Sequence, residues 1–131
     1  MKVLALDYGS ARTGVAVSDP TGTLARPLEV VENALAPAGL KHLAELAERE
    51  GVEQIVVGLP VTLRGERGAQ AEETEAFVSA LRAVTGVPIE SFDERFTTKL
   101  AEAQPSEAPS DAVAAAHLLS TYLEWKSALP R

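Results

Sequence analysis

Asp7, the adjacent pair Asp93-Glu94 and Asp111 are the residues on which a reaction in this chain could run. The sequence has no cysteine and two histidines, His42 and His117, which removes zinc-thiolate centres, disulfide staples and most serine–histidine–aspartate chemistry. Carboxylates remain. Asp7 closes the apolar run Lys2 to Asp7, Asp93-Glu94 closes the run Pro88 to Asp93, and Asp111 follows Ser110 at the head of an alanine- and leucine-rich stretch. Clustered carboxylates repel one another, so such a site calls for cations, and an all-oxygen donor set suits Mg²⁺ or Mn²⁺. Two such ions about 4 Å apart can activate a water and stabilise the leaving oxygen of a phosphodiester. Taken singly, each acid has a plainer reading. Asp7 before Tyr8-Gly9 reads as a turn starter, Asp93-Glu94 as a solvated strand end, and Asp111 as a complement to a helix dipole. Only a fold that brings them together makes them a site.

The elements that must do so are legible in the periodicity. Lys2 to Asp7 reads as a buried strand, Thr13 to Ser18 as a second, and Leu24 to Val31, after the turn Asp19-Pro20-Thr21-Gly22, as a third whose Pro27 marks a sheet edge. Short connections make these three an antiparallel meander. Beyond Pro37, Leu40, Leu43, Ala44 and Ala47 recur with helical spacing up to Gly51, and Gln54 to Gly58 reads as a fourth strand. A loop from Leu59 to Gly68 leads to a helix marked by Phe77, Ala80, Leu81 and Val84, ended by Gly86; Pro88 to Asp93 is the fifth strand. Thr97 or Thr98 caps a short helix over Lys99 to Gln104, Pro105 to Pro109 breaks it, and a last helix runs from about Ser110 to Trp125. The order β-β-β-α-β-α-β-α predicts an α/β fold of ribonuclease H-like arrangement. It has a five-stranded mixed sheet, helices on both faces, and the last two strands parallel to a central first strand. Ligands of such sheets bind beyond the strand carboxyl ends, where Asp7, Asp93-Glu94 and Asp111 would converge.

At 131 residues and 13.8 kDa the chain reads as one domain, 1–131. No apolar run approaches a membrane span and Met1-Lys2 leads directly into a strand, so a soluble, cytoplasmic protein without membrane contact is expected. The net charge of −7 opposes nucleic-acid binding as a whole-molecule field. Its distribution is less hostile. Arg12, Arg64, Arg67, Arg95 and Lys99 fall in or beside the loops at the proposed edge, whereas Glu45, Glu48, Glu72, Glu73 and Glu75 occupy helix positions. A local basic rim can position a phosphate backbone on an acidic protein. Tyr8, Phe92, Phe96, Tyr122 and Trp125 read as packing residues, His42 as a solvated residue on an exposed helix face, and His117 as structural.

Five motifs in order resemble the YqgF/RuvX family across essentially the whole chain. They are Asp7-Tyr8-Gly9-Ser10-Ala11-Arg12-Thr13-Gly14, Val57-Gly58-Leu59-Pro60, the stretch Gly65 to Phe77, Asp93-Glu94-Arg95-Phe96-Thr97-Thr98, and Asp111-Ala112-Val113-Ala114-Ala115-Ala116. Members are small bacterial proteins related in fold to Holliday junction resolvases and regarded as pre-16S ribosomal RNA nucleases. The resemblance implies a two-metal-ion hydrolase acting on RNA phosphodiesters in 16S ribosomal RNA 5′-end maturation. Its metal-binding acids fall on Asp7, Glu94 and Asp111. It also implies pre-16S ribosomal RNA and ribosomal particles as partners, ahead of DNA junctions, and a monomer or homodimer. Three departures from the pattern stand out. Val61-Thr62-Leu63-Arg64 replaces a polar loop after Pro60, Pro105 to Pro109 replaces a lysine-rich stretch, and Ala114 stands where resolvases carry a fourth acid. Asp93 ranks below Glu94 as a ligand because adjacent strand residues point to opposite faces.

Two other classes compete. Asp7-x-Gly9-Ser10 followed by Thr13-Gly14 is also a phosphate-binding signature of actin-like and sugar-kinase-type ATP-binding modules, which need two such domains where this chain offers one. A non-catalytic RNA-binding, ribosome-associated module is the other, and the three acids argue against it.

Overall fold

The computed structural model describes residues 1–60, 68–93 and 110–129. Strands β1 (Val3–Asp7), β2 (Arg12–Ser18) and β3 (Ala25–Glu32) form the expected antiparallel meander. Helix α1 (Pro37–Glu50) leads to β4 (Gln54–Leu59), α2 (Ala69–Arg82) to β5 (Ile89–Asp93), and α3 (Ser110–Ala128) closes the described chain. The sheet order is β3-β2-β1-β4-β5, with β4 and β5 parallel to β1, as the element order predicts. Pro27 lies on edge strand β3, opposite Ala16 and beside an irregularity at Val15/Ala16, where its missing N–H costs no central ladder bond.

Alternation along the strands divides the interior into two cores. Leu4 and Leu6 of β1, Val15 and Val17 of β2, and Ile55 and Val57 of β4 pack with Leu43, Leu46 and Ala47 of α1 and with Phe77, Val78 and Leu81 of α2. Val3, Ala5, Ala16, Val56 and Phe92 point the other way, onto Ala115, Leu118, Leu119, Tyr122 and Leu123 of α3. A strand covered on both faces has no polar side to show, which is why β1 and β4 read as continuous apolar runs. Helix α1 ends where expected, because Gly51 adopts the left-handed conformation (φ 66°) and its N–H caps the last turn.

Helix α2 departs from expectation at its C-terminal end. It begins at Ala69, directly after the expected loop, and turns Ala71, Thr74, Phe77, Val78 and Leu81 inward, but it stops at Arg82. Val84 matches the apolar period yet is exposed: it lies beyond the helix, with its N–H on the Leu81 carbonyl, in the bend leading to β5. The expected loop centred on residues 61–67 and the short helix over Lys99 to Gln104, with Phe96, lie outside the described residues.

At the end of α3, Phe92, Tyr122 and Trp125 form a ring cluster with centroids 5.4 to 5.9 Å apart. The Tyr122 hydroxyl donates to Glu90 Oε1 at 2.9 Å. Burial, then the hydrogen bond to Glu90 and its negative charge, push the Tyr122 phenol well above its ordinary value. A phenol whose folded pKa is raised contributes stability that is complete below about pH 10 and is lost as pH rises toward the folded value. The melting temperature should therefore fall more steeply above pH 10 in the wild type than in Tyr122→Phe. Parallel wild-type and variant slopes in thermal melts from pH 9 to 11.5 would contradict this. Tyr8, raised by burial and then by Glu73, should supply part of the residual slope.

Candidate active site

The carboxyl end of the central strand is built around one glycine. Asp7, the last residue of β1, pairs directly with Gly14 of β2. Directly paired residues share a face, and Asp7 follows Val3 and Ala5 onto the face that α3 covers. Gly14 faces α3 as well. A Cβ built on it would lie 1.8 Å from the Asp111 carbonyl oxygen, 2.4 Å from its carbon and 3.0 Å from the Ala112 nitrogen. Only a residue without a side chain lets the first turn of α3 come so close to the sheet. Asp7 and the first turn of α3, which Asp111 opens, thus lie on the same face of the sheet, on either side of Gly14.

Arg12, two residues before Gly14, shares its face by the same alternation. Its Nε lies 3.3 Å from Asp111 Oδ2; the Arg12 side chain is 65% exposed and that of Asp111 37%. The sequence places Arg12 on the rim as a phosphate contact; in the structure its guanidinium pairs with the carboxylate of a candidate site residue. Asp93 pairs with Leu59 at the end of the β4–β5 ladder. Ile89 and Phe92 face α1/α2 and α3 respectively, so alternation puts Asp93 on the face away from Asp7 and Asp111. Glu94, Arg95, Lys99, Arg64 and Arg67 lie outside the described residues.

Two contacts that sequence reasoning missed hold the β1–β2 turn. Ser10 Oγ donates to Glu73 Oε2 of α2 at 2.6 Å, and burial, then the hydrogen-bonding and negative charge of Glu73, raise the Tyr8 phenol above its ordinary pKa. Tyr8 stacks on Phe77 at 4.5 Å, which bears out a packing role. Buried Thr13 adds a side-chain bridge, its Oγ1 3.4 Å from both the N and the O of Gly9. Tyr8-Gly9-Ser10 signals the turn, but no local pattern names Glu73 as its partner. His42 corrects another expectation: its Nε2 lies 2.7 Å from Glu29 Oε2 across α1 and β3, and it is not simply solvated. The pair lies on the α1 face of the sheet, opposite the face that carries Asp7.

Among the described residues, no three His, Asp or Glu side chains gather closely enough to hold a metal ion. The two described members of the expected triad nonetheless suit a hard divalent cation. Both are oxygen donors, and Asp111 already holds a cationic group against its carboxylate. Among the described residues no helix is long and apolar enough to cross a membrane.

A central strand ending in an aspartate, backed by an antiparallel meander and met by a helix that opens with a second aspartate, is the ribonuclease H-like architecture of the junction resolvases. Thermus thermophilus RuvC in complex with Holliday junction substrate superposes with a TM-score of 0.64 at 20% identity, over 98% of this chain and 96% of that one. The fowlpox virus resolvase, in complex with its substrate junction DNA, gives 0.54 at 12% identity over 96% and 99%. These likenesses concern the fold. The family model of RuvX, described as a Holliday junction resolvase, matches residues 1–125, and the chain belongs to that family. A protein of Rubrobacter xylanophilus named "Putative pre-16S rRNA nuclease" is 47% identical over 94% of this chain and 92% of its own length. One of the same name from Chloroflexus aurantiacus is 38% identical over 98% and 90%.

Proposed function

We propose that this chain is a divalent-metal-dependent nuclease that hydrolyses RNA phosphodiesters, acting in the cytoplasm on precursor 16S ribosomal RNA near its 5′ end, with residues 1–131 as one nuclease domain. The observation that carries the reading is the Asp7–Gly14–Asp111 arrangement: Gly14, the strand partner of Asp7, is also the residue against which the Asp111 backbone packs, on the same face of the sheet. Membership of the RuvX family and relatives named for pre-16S ribosomal RNA support the reaction class and the substrate.

In this reading Asp7, Asp111 and Glu94 hold Mg²⁺ or Mn²⁺. The bound cation supplies positive charge where the phosphodiester oxygens gather negative charge. The protein supplies the rest. Asp7 is fixed by a strand paired on both sides, and the first turn of α3 by its contact with Gly14, so the carboxylates are positioned before substrate arrives. Arg12, with Arg95, Arg64, Arg67 and Lys99 as further candidates, orients the phosphate backbone without reading bases. That division of labour lets an acidic protein act on a polyanion, with modest, salt-sensitive affinity.

The test is cleavage of a precursor 16S RNA fragment carrying its 5′ extension, with a four-way DNA junction in parallel, in Mg²⁺, in Mn²⁺ and in excess chelator. Metal-dependent cleavage of the RNA with little on the junction is expected. Cutting of the junction alone would move the substrate to DNA, and cleavage of RNA that survives chelator would overturn the metal reading.

A further inference from the structure

We infer that Arg12 is a substrate-operated competitor for the Asp111 carboxylate: in the free protein its guanidinium occupies Asp111, and a backbone phosphate draws it away, leaving Asp111 to a divalent cation. The inference rests on the metal-dependent reading above and deepens it by coupling cation and nucleic acid through one side chain. Arg12 and Asp111 come from distant parts of the chain and meet because β2 and α3 touch at Gly14, two residues from Arg12. The contact runs through Nε at 3.3 Å, one of the five donors of the guanidinium.

Three physical points favour exchange over a fixed structural pair. First, both groups are well exposed, 65% and 37%, and an exposed pair of this kind contributes little to stability, so breaking it costs little. Second, the two ends of the pair are unequal in mobility. The Asp111 backbone is pinned against Gly14, whereas Arg12 opens β2 and its long side chain can swing outward without disturbing the ladder. Third, a phosphate can take a guanidinium in a planar, bidentate fork, which a single Nε contact does not exploit. The positive charge of the Arg12 guanidinium held against Asp111 repels a second cation at the same carboxylate, so removing Arg12 must tighten cation binding. By linkage, a phosphate that removes Arg12 and a cation that binds Asp111 must each favour the other.

The measurement is Mn²⁺ binding by the full chain, followed by the electron paramagnetic resonance signal of free Mn²⁺. The chains compared are wild type, Arg12→Gln, Arg12→Lys, Asp7→Asn and Asp111→Asn. Each is titrated with and without a single-stranded phosphorothioate oligonucleotide, which keeps the backbone charge and resists hydrolysis. Arg12→Gln alone should bind Mn²⁺ about 2- to 5-fold more tightly than wild type, the range expected for loss of one exposed ion pair, and Arg12→Lys should lie closer to wild type. The oligonucleotide should tighten Mn²⁺ binding by a larger factor in wild type than in Arg12→Gln. Equal Mn²⁺ affinity in wild type and Arg12→Gln, with weaker binding in Asp111→Asn, would overturn the inference and leave the metal reading standing. Equal enhancement by the oligonucleotide in both chains would overturn the hand-over. Mn²⁺ binding that ignores Asp7→Asn and Asp111→Asn alike would remove the metal reading, and the inference with it.

Discussion

Asp7→Asn is expected to lose RNA cleavage by on the order of 10³-fold or more while melting within about 2 °C of the wild type. The two halves of that result have separate causes. Asparagine keeps the shape of the side chain but not its charge, and a neutral amide is a poor ligand for a hard dication and does nothing to gather one. The fold, by contrast, asks little of the Asp7 side chain. Its backbone completes the β1–β2 ladder opposite Gly14, and β1 is held by the two apolar cores flanking Leu4, Ala5 and Leu6. Steady-state cleavage of precursor RNA and a thermal melt on the same preparation decide the matter. Cleavage at wild-type rate would assign the activity to another site, and a large drop in melting temperature would make Asp7 a structural residue.

Gly14→Ala should do the reverse, damaging structure and site together through one methyl group. The added Cβ would fall 1.8 Å from the Asp111 carbonyl oxygen and 2.4 Å from its carbon, and both are backbone atoms at the head of a 19-residue helix. No side-chain rotation can relieve that overlap. The first turn of α3 must retreat, or β2 must bend. Overpacking of this kind costs about 1 to 3 kcal/mol, and more where backbone must move, which at about 4 °C per kcal/mol lowers the melting point by about 4 to 12 °C. A retreat of about 1 Å also parts Asp111 from Asp7, and misplacement of that size costs on the order of 10²-fold in rate. Gly14→Ala should therefore cleave poorly even at temperatures where it is fully folded. A variant that melted and cleaved like wild type would show that the approach of α3 to β2 is looser than the structure has it.

The pairing of the two variants separates charge from position. Asp7→Asn leaves the site its shape and takes away a donor; Gly14→Ala leaves every donor in its sequence position and moves one of them. Arg12 belongs to neither class, since its contact with Asp111 is both a charge effect and a matter of which group occupies the carboxylate.

Much of this protein is determined locally and could be read from the sequence alone. The continuous apolar runs of β1 and β4, the helical period of α1 and its stop at Gly51, the proline on β3 and the order of elements rest on interactions within a few residues, and they define a ribonuclease H-like sheet with β1 at its centre. Asp7 and Asp111 were legible as candidates for the same reason, because a strand end and a helix start are local features. Val84 shows the limit of that reasoning: a residue can fit the period of a helix that has already ended, since where α2 stops depends on the bend into β5. The tertiary structure alone decided which groups meet. Glu73 reaches Ser10 across 63 residues, His42 finds Glu29 between a helix and an edge strand, and Arg12 finds Asp111 because Gly14 admits the helix backbone to the sheet. Such contacts carry no periodic signature. They follow from close packing between elements distant in the chain, and a glycine written in the middle of a strand does not say which backbone will occupy the space its missing side chain leaves.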